Sequence, residues 1–245
     1  MREAEAKPRP TRRGSGITGS DSGPADAPRG GRKPKTLPSE VQTELAESVS
    51  GKTAAARLQQ RMTDATGAFE RERYGDAARM LKPLAEQAPG AAAVRELYGL
   101  TLYRLGRWDA AIKELEAFRG LSPDSVDQHP TLADCYRAKK RWRKVDELWE
   151  ELRTASPAPD LMAEGRLVYA GSLAERGKMA EAIELLEHAK TDQKKPRADH
   201  LRTWYALADL YERAGEVPRA RELFRRILRF DHELFDTAER LRALD

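Results

Sequence analysis

Cysteine is nearly absent. Cys135 is the one thiol in 245 residues, so no disulfide can form within the chain. Long apolar runs are absent too. No stretch approaches the roughly 20 consecutive apolar residues that a membrane helix needs, and the first residues hold no apolar segment of the kind a secretory signal requires. A cytoplasmic location is the expectation. Aromatic residues make up 7% of the chain, and none precedes Phe69. Residues 1–37 are rich in proline, glycine, serine and charge. Such a segment cannot bury enough apolar surface to offset the entropy lost on ordering, and it reads as a disordered tail.

Excess charge of one sign is missing from most of the chain. The net charge is +4. Residues 1–37 carry nine Lys/Arg and four Asp/Glu, a net +5. The remaining residues hold 35 basic and 36 acidic side chains, a net −1. The basicity that would draw nucleic acid therefore belongs to the tail. Arginine outnumbers lysine 31 to 13, the bias of a GC-rich bacterial genome.

Two short motifs point toward nucleotides and fail on context. GSGITG, Gly14–Gly19, matches a dinucleotide fingerprint, but that fingerprint must follow a strand and open a helix. AESVSGKT, Ala46–Thr53, matches the relaxed P-loop pattern, yet the sequence predicts no strand to hold it. It lies instead between two helices. Ser39 and Gln42 have capping-box spacing, Val41, Leu45 and Val49 line one face of a short helix, and Gly51 reads as its stop. Leu58, Met62, Ala65 and Phe69 then carry a second helix.

Catalytic constellations are lacking. His129, His188, His200 and His232 are scattered, with no second ligand at metal spacing. Cys135 falls between core positions of a helix, where a thiol is inert. No nucleophile–base–acid set or carboxylate pair stands out. No cofactor, no metal and no enzymatic activity are expected, and neither a membrane nor a small-molecule substrate.

A repeat is present, and it outranks any short motif. Tyr74, Trp108 and Trp142 lie 34 residues apart, as do Ala77, Ala111 and Val145, and Pro89, Pro123 and Pro157. The text RYGDAARMLKPL returns as RWDAAIKELEAF and RWRKVDELWEEL, then as KMAEAIELLEHA and EVPRARELFRRI. Those last two copies are anchored at Ala182 and Ala220, after spacings of 37 and 38. Trp204, Leu207, Ala208, Tyr211, Gly215, Ala220 and Phe224 form the fullest copy. The third copy has Lys140 in place of the turn glycine, and Pro83 is expected to interrupt the second helix of the first copy. With this period and two helices per unit, the chain resembles the tetratricopeptide repeat (TPR) family over about residues 57–230.

That resemblance implies an all-α, right-handed solenoid of about five helical hairpins, at residues 57–90, 91–124, 125–158, 159–196 and 197–230. A disordered basic tail (1–37) and an N-terminal helix with its linker (38–56) precede them, and a capping helix (231–245) follows. Small residues at Ala65, Gly99, Ala133, Ala170 and Ala208 let the two helices of a hairpin approach. The alanines of the second helices admit the next hairpin, and Trp108, Trp149 and Phe224 fill the space between units.

The resemblance also implies a function. Proteins of this family bind extended or helical peptides on the concave wall formed by their first helices, and the expected role is a non-enzymatic scaffold or adaptor for a protein partner. The wall positions here are Met62, Thr66 and Phe69, then Glu96, Leu100, Tyr103 and Arg104. Asp134 and Arg137 follow, then Leu167 and Gly171, and last Tyr205, Asp209, Glu212 and Arg213. Tyr103 and Tyr205 are the expected aromatic anchors, the alternative being that both rings pack between hairpins. Adaptors of heat-shock chaperones in the family clamp a terminal carboxylate with Lys and Asn. Met62 with Thr66, and Glu96 with Leu100, occupy those places, so that clamp is absent. The alternative is an RNA- or ribosome-associated adaptor using RAKKRWRK (137–144), the arginines of 219–229, the linker cations Lys190, Lys194, Lys195 and Arg197, and the tail.

Overall fold

A computed structural model describes residues 36–189 and 195–244. Almost all of the basic tail, the GSGITG motif, Lys190 and Lys194 lie outside the described residues.

Among the described residues the chain forms twelve α-helices and no strand. Helix α1 (Ser39–Glu47) is followed by five antiparallel pairs. These are α2 (Lys52–Glu70) with α3 (Tyr74–Gln87), α4 (Ala92–Arg104) with α5 (Trp108–Leu121), and α6 (His129–Ala138) with α7 (Trp142–Ala155). The last two are α8 (Pro159–Glu175) with α9 (Met179–Glu187), and α10 (Ala198–Arg213) with α11 (Val217–Leu228). Helix α12 (Thr237–Leu244) packs on α11 and closes the stack.

The turn inside each pair is set by one backbone conformation. Glu72, Gly106, Lys140, Gly177 and Gly215 all have positive φ, between 55° and 81°. They recur with the spacings of the sequence repeat, so the register read from side chains is also the register of the backbone. Three of the five are glycine, for which this conformation carries no Cβ penalty. Glu72 and Lys140 adopt it with a side chain attached. Both are exposed, and the Lys140 side chain has no ion pair among the described residues. Lys140→Gly is therefore expected to stabilise the fold by about 0.5–1 kcal/mol, within the left-handed penalty for an L-residue. A urea titration should show a higher midpoint, and an unchanged or lower one would refute this account of the turn.

The small positions allow the close approach expected of them. Ala65, Ala133, Ala170 and Ala208 are buried, as are Ala77, Ala111, Val145, Ala182 and Ala220. A Cβ placed on Gly99 would lie 2.7 Å from the Leu115 side chain and 3.3 Å from its backbone nitrogen, so only glycine lets α4 lie this near α5. The buried apolar residues form three clusters along the stack. Tyr98 packs against the first and second, and Tyr169 against the second and third. Those two rings make the core continuous. Tyr169 also stacks on Trp149, with centroids 5.0 Å apart and planes 11° from parallel.

Three local expectations are corrected. Ser39 does not cap α1: the cap is Pro38, and the Gln42 amide donates to the Leu37 carbonyl at 2.7 Å. Pro38 is still extended, with φ −52° and ψ 146°, and Ser39 is already the first helical residue. Gly51 is not the stop of α1, which ends at Glu47. It is the N-cap of α2, with φ 97°. Pro83 does not interrupt α3, which runs through it from Tyr74 to Gln87. The hydrophobic packing of Leu81, Leu84 and Ala85 on both sides of the proline offsets the backbone hydrogen bond it removes.

Candidate functional site

The first helices α2, α4, α6, α8 and α10 stand side by side along the stack, each touching the next. The positions expected to form the wall fall into three groups.

The first group forms a buried polar cluster linking hairpins two, three and four. The Tyr103 hydroxyl of α4 donates to Asp134 Oδ2 of α6 at 2.8 Å. Arg137 Nε and Nη2 both reach Asp134 Oδ1 at 2.7 Å, and Nη1 donates to Glu175 Oε1 of α8. Asp134 and Arg137 are buried. Gly171 of α8 faces the Arg137 stem, which would lie in ordinary van der Waals contact, 3.8 Å from an added Cβ. Burial by itself pulls the Arg137 guanidinium down, but the charges of Asp134 and Glu175 outweigh it and hold the group above its ordinary value. Burial, reinforced by the Asp134 charge, raises the Tyr103 phenol. The cluster is thus a neutral tyrosine and a permanent cation sharing two carboxylates. Tyr103 also meets Trp108 edge-on, with centroids 5.6 Å apart.

The second group is covered by the end of the chain. Arg240 of α12 donates to Asp209 Oδ1 at 2.9 Å and to Glu212 Oε2 at 2.7 Å. It donates also to the Tyr205 hydroxyl at 3.2 Å. Tyr205 in turn donates to Asp236, and its ring packs on Phe235, centroid to centroid 4.8 Å. Tyr205, Asp209 and Glu212 are therefore engaged by α12 and the turn before it. Burial lifts the Tyr205 phenol to about 12, and the bond to Asp236 acts in the same direction.

The third group is less committed. Leu100 is partly exposed and belongs to none of the three apolar clusters. Arg104 is exposed, with its guanidinium 4.8 Å from the Tyr74 ring centre. Glu96 accepts a bond from the Gln128 amide at 2.8 Å, and burial raises its carboxyl. Leu167 is partly exposed against the C-terminal cluster, and Arg213 is exposed 3.5 Å from Asp209. In hairpin one, Met62 is buried, the Thr66 hydroxyl is turned back to the Met62 carbonyl, and Phe69 packs edge-on to Tyr74 at 5.3 Å.

Asp134, Arg137, Tyr103 and Tyr205, expected on the wall, have their polar groups bonded within it, between neighbouring hairpins or to the C-terminal segment. Glu175 and Arg240 complete these clusters; Arg240 was expected on the polar face of the capping helix, and neither residue was expected at the wall. The available signal was the i,i+3 spacing of Asp134 and Arg137, which brings opposite charges together on a helix.

Several cations of the basic runs are paired with acids. Lys139 and Arg141 converge on Asp109 at 2.6 and 3.7 Å, and Arg143 and Lys144 on Glu147 at 3.2 and 2.7 Å. Arg219 bridges Glu187 and Glu216 at 2.6 and 2.9 Å. The AESVSGKT motif forms the turn from α1 into α2, with Lys52 exposed as the first residue of α2. Cys135 is buried, and burial pushes its thiol up to about 12. Among the described residues, no group of three or more His, Cys, Asp or Glu side chains is placed to hold a metal ion, and no helix is long and apolar enough to cross a membrane.

Comparison with known proteins agrees with this architecture. Two family models, both described as tetratricopeptide repeat, match residues 62–126 and 173–244, together just over half of the chain. No curated protein matches it in sequence. Among solved structures, TTC0263, a thermophilic TPR protein in Thermus thermophilus, aligns with a TM-score of 0.59 at 17% identity. The alignment covers 76% of this chain and 98% of that one. Putative kinesin light chain TPR-like repeats from Podosopora anserina align at 0.57 and 20%, covering 70% and 93%. A MamA RS-1 double mutant aligns at 0.56 and 15%, covering 74% and 96%.

Proposed function

Since this chain belongs to the tetratricopeptide repeat family, we propose that it is a non-catalytic interaction scaffold that takes an extended or helical segment of a protein partner along its first helices. The observation that carries this reading is the contrast within the wall. Tyr103, Asp134, Arg137 and Glu175 are locked to one another across three hairpins, while Leu100 beside them keeps apolar surface outside every core cluster. A fixed polar frame around an uncommitted apolar side chain is preorganised for binding, because little ordering entropy is lost when a partner docks.

Helix α12 narrows where that partner would lie. It already bonds to Tyr205, Asp209 and Glu212, so the segment runs across Glu96, Leu100, Arg104 and Leu167. The two charges there have opposite sign, and a mixed-charge or amphipathic segment fits better than a polyanion. The ion pairs of the 137–144 run weigh against the RNA- or ribosome-directed alternative, since four of its six cations converge on Asp109 and Glu147 and a fifth, Arg137, is held by Asp134 and Glu175.

The test is affinity capture with mass spectrometry, with and without nuclease, on the full chain and on Leu100→Asp. The variant is expected to hold the captured partner at least tenfold more weakly, about 1–2 kcal/mol for an interface anchor, and to melt within a few degrees of the parent. Equal capture by both proteins would remove this wall as the binding site. Capture abolished by nuclease would transfer the function to nucleic acid.

A further inference from the structure

Four residues before each small first-helix position stand Arg61, Arg95, His129, Arg166 and Trp204. Four of the five are satisfied. Arg61 donates to the Gln87 amide oxygen at 3.3 Å, Arg95 is paired with Glu114 at 2.5 Å, and His129 with Glu151 at 2.9 Å. Trp204 is buried, with the Arg226 guanidinium 4.1 Å above its ring. Arg166 breaks the pattern. It is partly buried, and among the described residues it has no hydrogen bond and no ion pair. Burial alone pushes its guanidinium below the ordinary value, with no neighbouring carboxylate opposing the shift.

Arg166 opens on a cavity of about 520 Å³ between α8 and α10, within the usual size range of small-molecule sites. Lys195, Arg197, Asp199 and His200 line it as well. Asp199 is the lone carboxylate among these, and Arg197 already grips both its oxygens at 3.1 and 2.9 Å. The Arg197 backbone N–H donates to His200 Nδ1 at 3.1 Å, which places the ring proton on Nε2. That N–H is 3.8 Å from the nearest Asp199 oxygen, too far for a hydrogen bond. Among the described lining residues the cavity thus gathers three cations and an imidazole donor against one carboxylate that is already paired.

We infer that this cavity binds a small, multiply charged oxyanion, with Arg166 as its principal partner and Lys195 and the His200 Nε2–H as supporting donors. The planar guanidinium suits two oxygens of one phosphate or carboxylate group, and the bound anion supplies what Glu114 and Glu151 supply at the equivalent positions of hairpins two and three. The site is separate from the proposed protein-binding wall, so it stands or falls independently of that reading.

Inorganic pyrophosphate and citrate, each at ionic strength matched with chloride, are the probes. Calorimetric titration and thermal melts of the full chain are the readouts. At one hundred times Kd the melting temperature should rise by about 5–10 °C for a chain of this size. Arg166→Leu should bind the same anion at least tenfold more weakly. Without ligand it should melt no lower than the parent, because an unpaired, half-buried charge has been removed. Lys195→Gln, on an exposed residue outside every helix, should bind at least threefold more weakly and carries the test should Arg166→Leu fail to fold. Tighter binding of pyrophosphate would assign the ligand to phosphates, and tighter binding of citrate to carboxylates. No response to either anion, or an equal response in parent and variants, would overturn the site.

Discussion

Ala111→Trp is expected to split the array. Ala111 lies one turn into α5 with no exposed surface, in the middle cluster that also holds Leu102, Leu132, Ala133 and Val145. Its equivalents Ala77, Val145, Ala182 and Ala220 are likewise fully buried, so the position lies where successive hairpins meet. An indole there must displace packed neighbours, and overpacking of a core typically costs about 1–3 kcal/mol, occasionally more. In a stack whose stability is a sum of unit and nearest-neighbour terms, that loss falls on one interface. Hairpins one and two should then uncouple from three to five, and a urea titration should show two transitions or a sharply lower midpoint. Ala111→Val is the control, because Val145 shows that the site tolerates a valine in another hairpin. A tryptophan variant that melts like the parent would mean the repeat register is wrong.

That register was the most legible feature of the chain. A spacing of 34 between Tyr74, Trp108 and Trp142, stretched to 37 and 38 later, located every second helix, because stacked units repeat the same contact chemistry. Gly99 was legible for the same reason. Gly165 was not. A Cβ there would come within 2.1 Å of Leu152 Cδ2, yet its neighbours in other units are not small, so no repeat announces it. Helix ends were harder to read: Pro38 rather than Ser39 caps α1, and α3 runs through Pro83, since tertiary packing decides what local propensity leaves open. The wall was legible only as positions. Family register said which residues of the first helices share a face. It could not say that Arg137 reaches across to Glu175 of α8, or that Arg240, 28 residues beyond Glu212, returns to cover the last hairpin. Such pairings depend on how neighbouring helices are offset, which single-chain periodicity does not encode.

The Asp134–Arg137 pair also carries the second large effect. Arg137→Ala should cost about 3–5 kcal/mol, the usual result of stranding one member of a buried ion pair. Asp134 and Arg137 are 3% and 6% exposed, so water cannot readily replace the lost partner. The cost should exceed that of deleting Lys139, whose partner Asp109 is largely exposed and whose pair is therefore worth little. The cluster spans α4, α6 and α8, so its loss loosens three hairpins together. Asp134→Ala should be comparably damaging, because it takes from the buried Arg137 cation its closest carboxylate and strips the Tyr103 hydroxyl of its acceptor. The decisive comparison is the combined Tyr103→Phe, Asp134→Leu and Arg137→Met variant, which removes the buried polar groups together and keeps similar volumes. Apolar replacement of a buried ion pair is often neutral or stabilising, so this variant should recover most of the stability that either single alanine loses. Denaturant midpoints of the four proteins settle the matter. Singles that cost under about 1 kcal/mol would mean that solvent screens the cluster as it does a surface pair, and the wall would then lack the rigid frame on which the proposed binding mode depends.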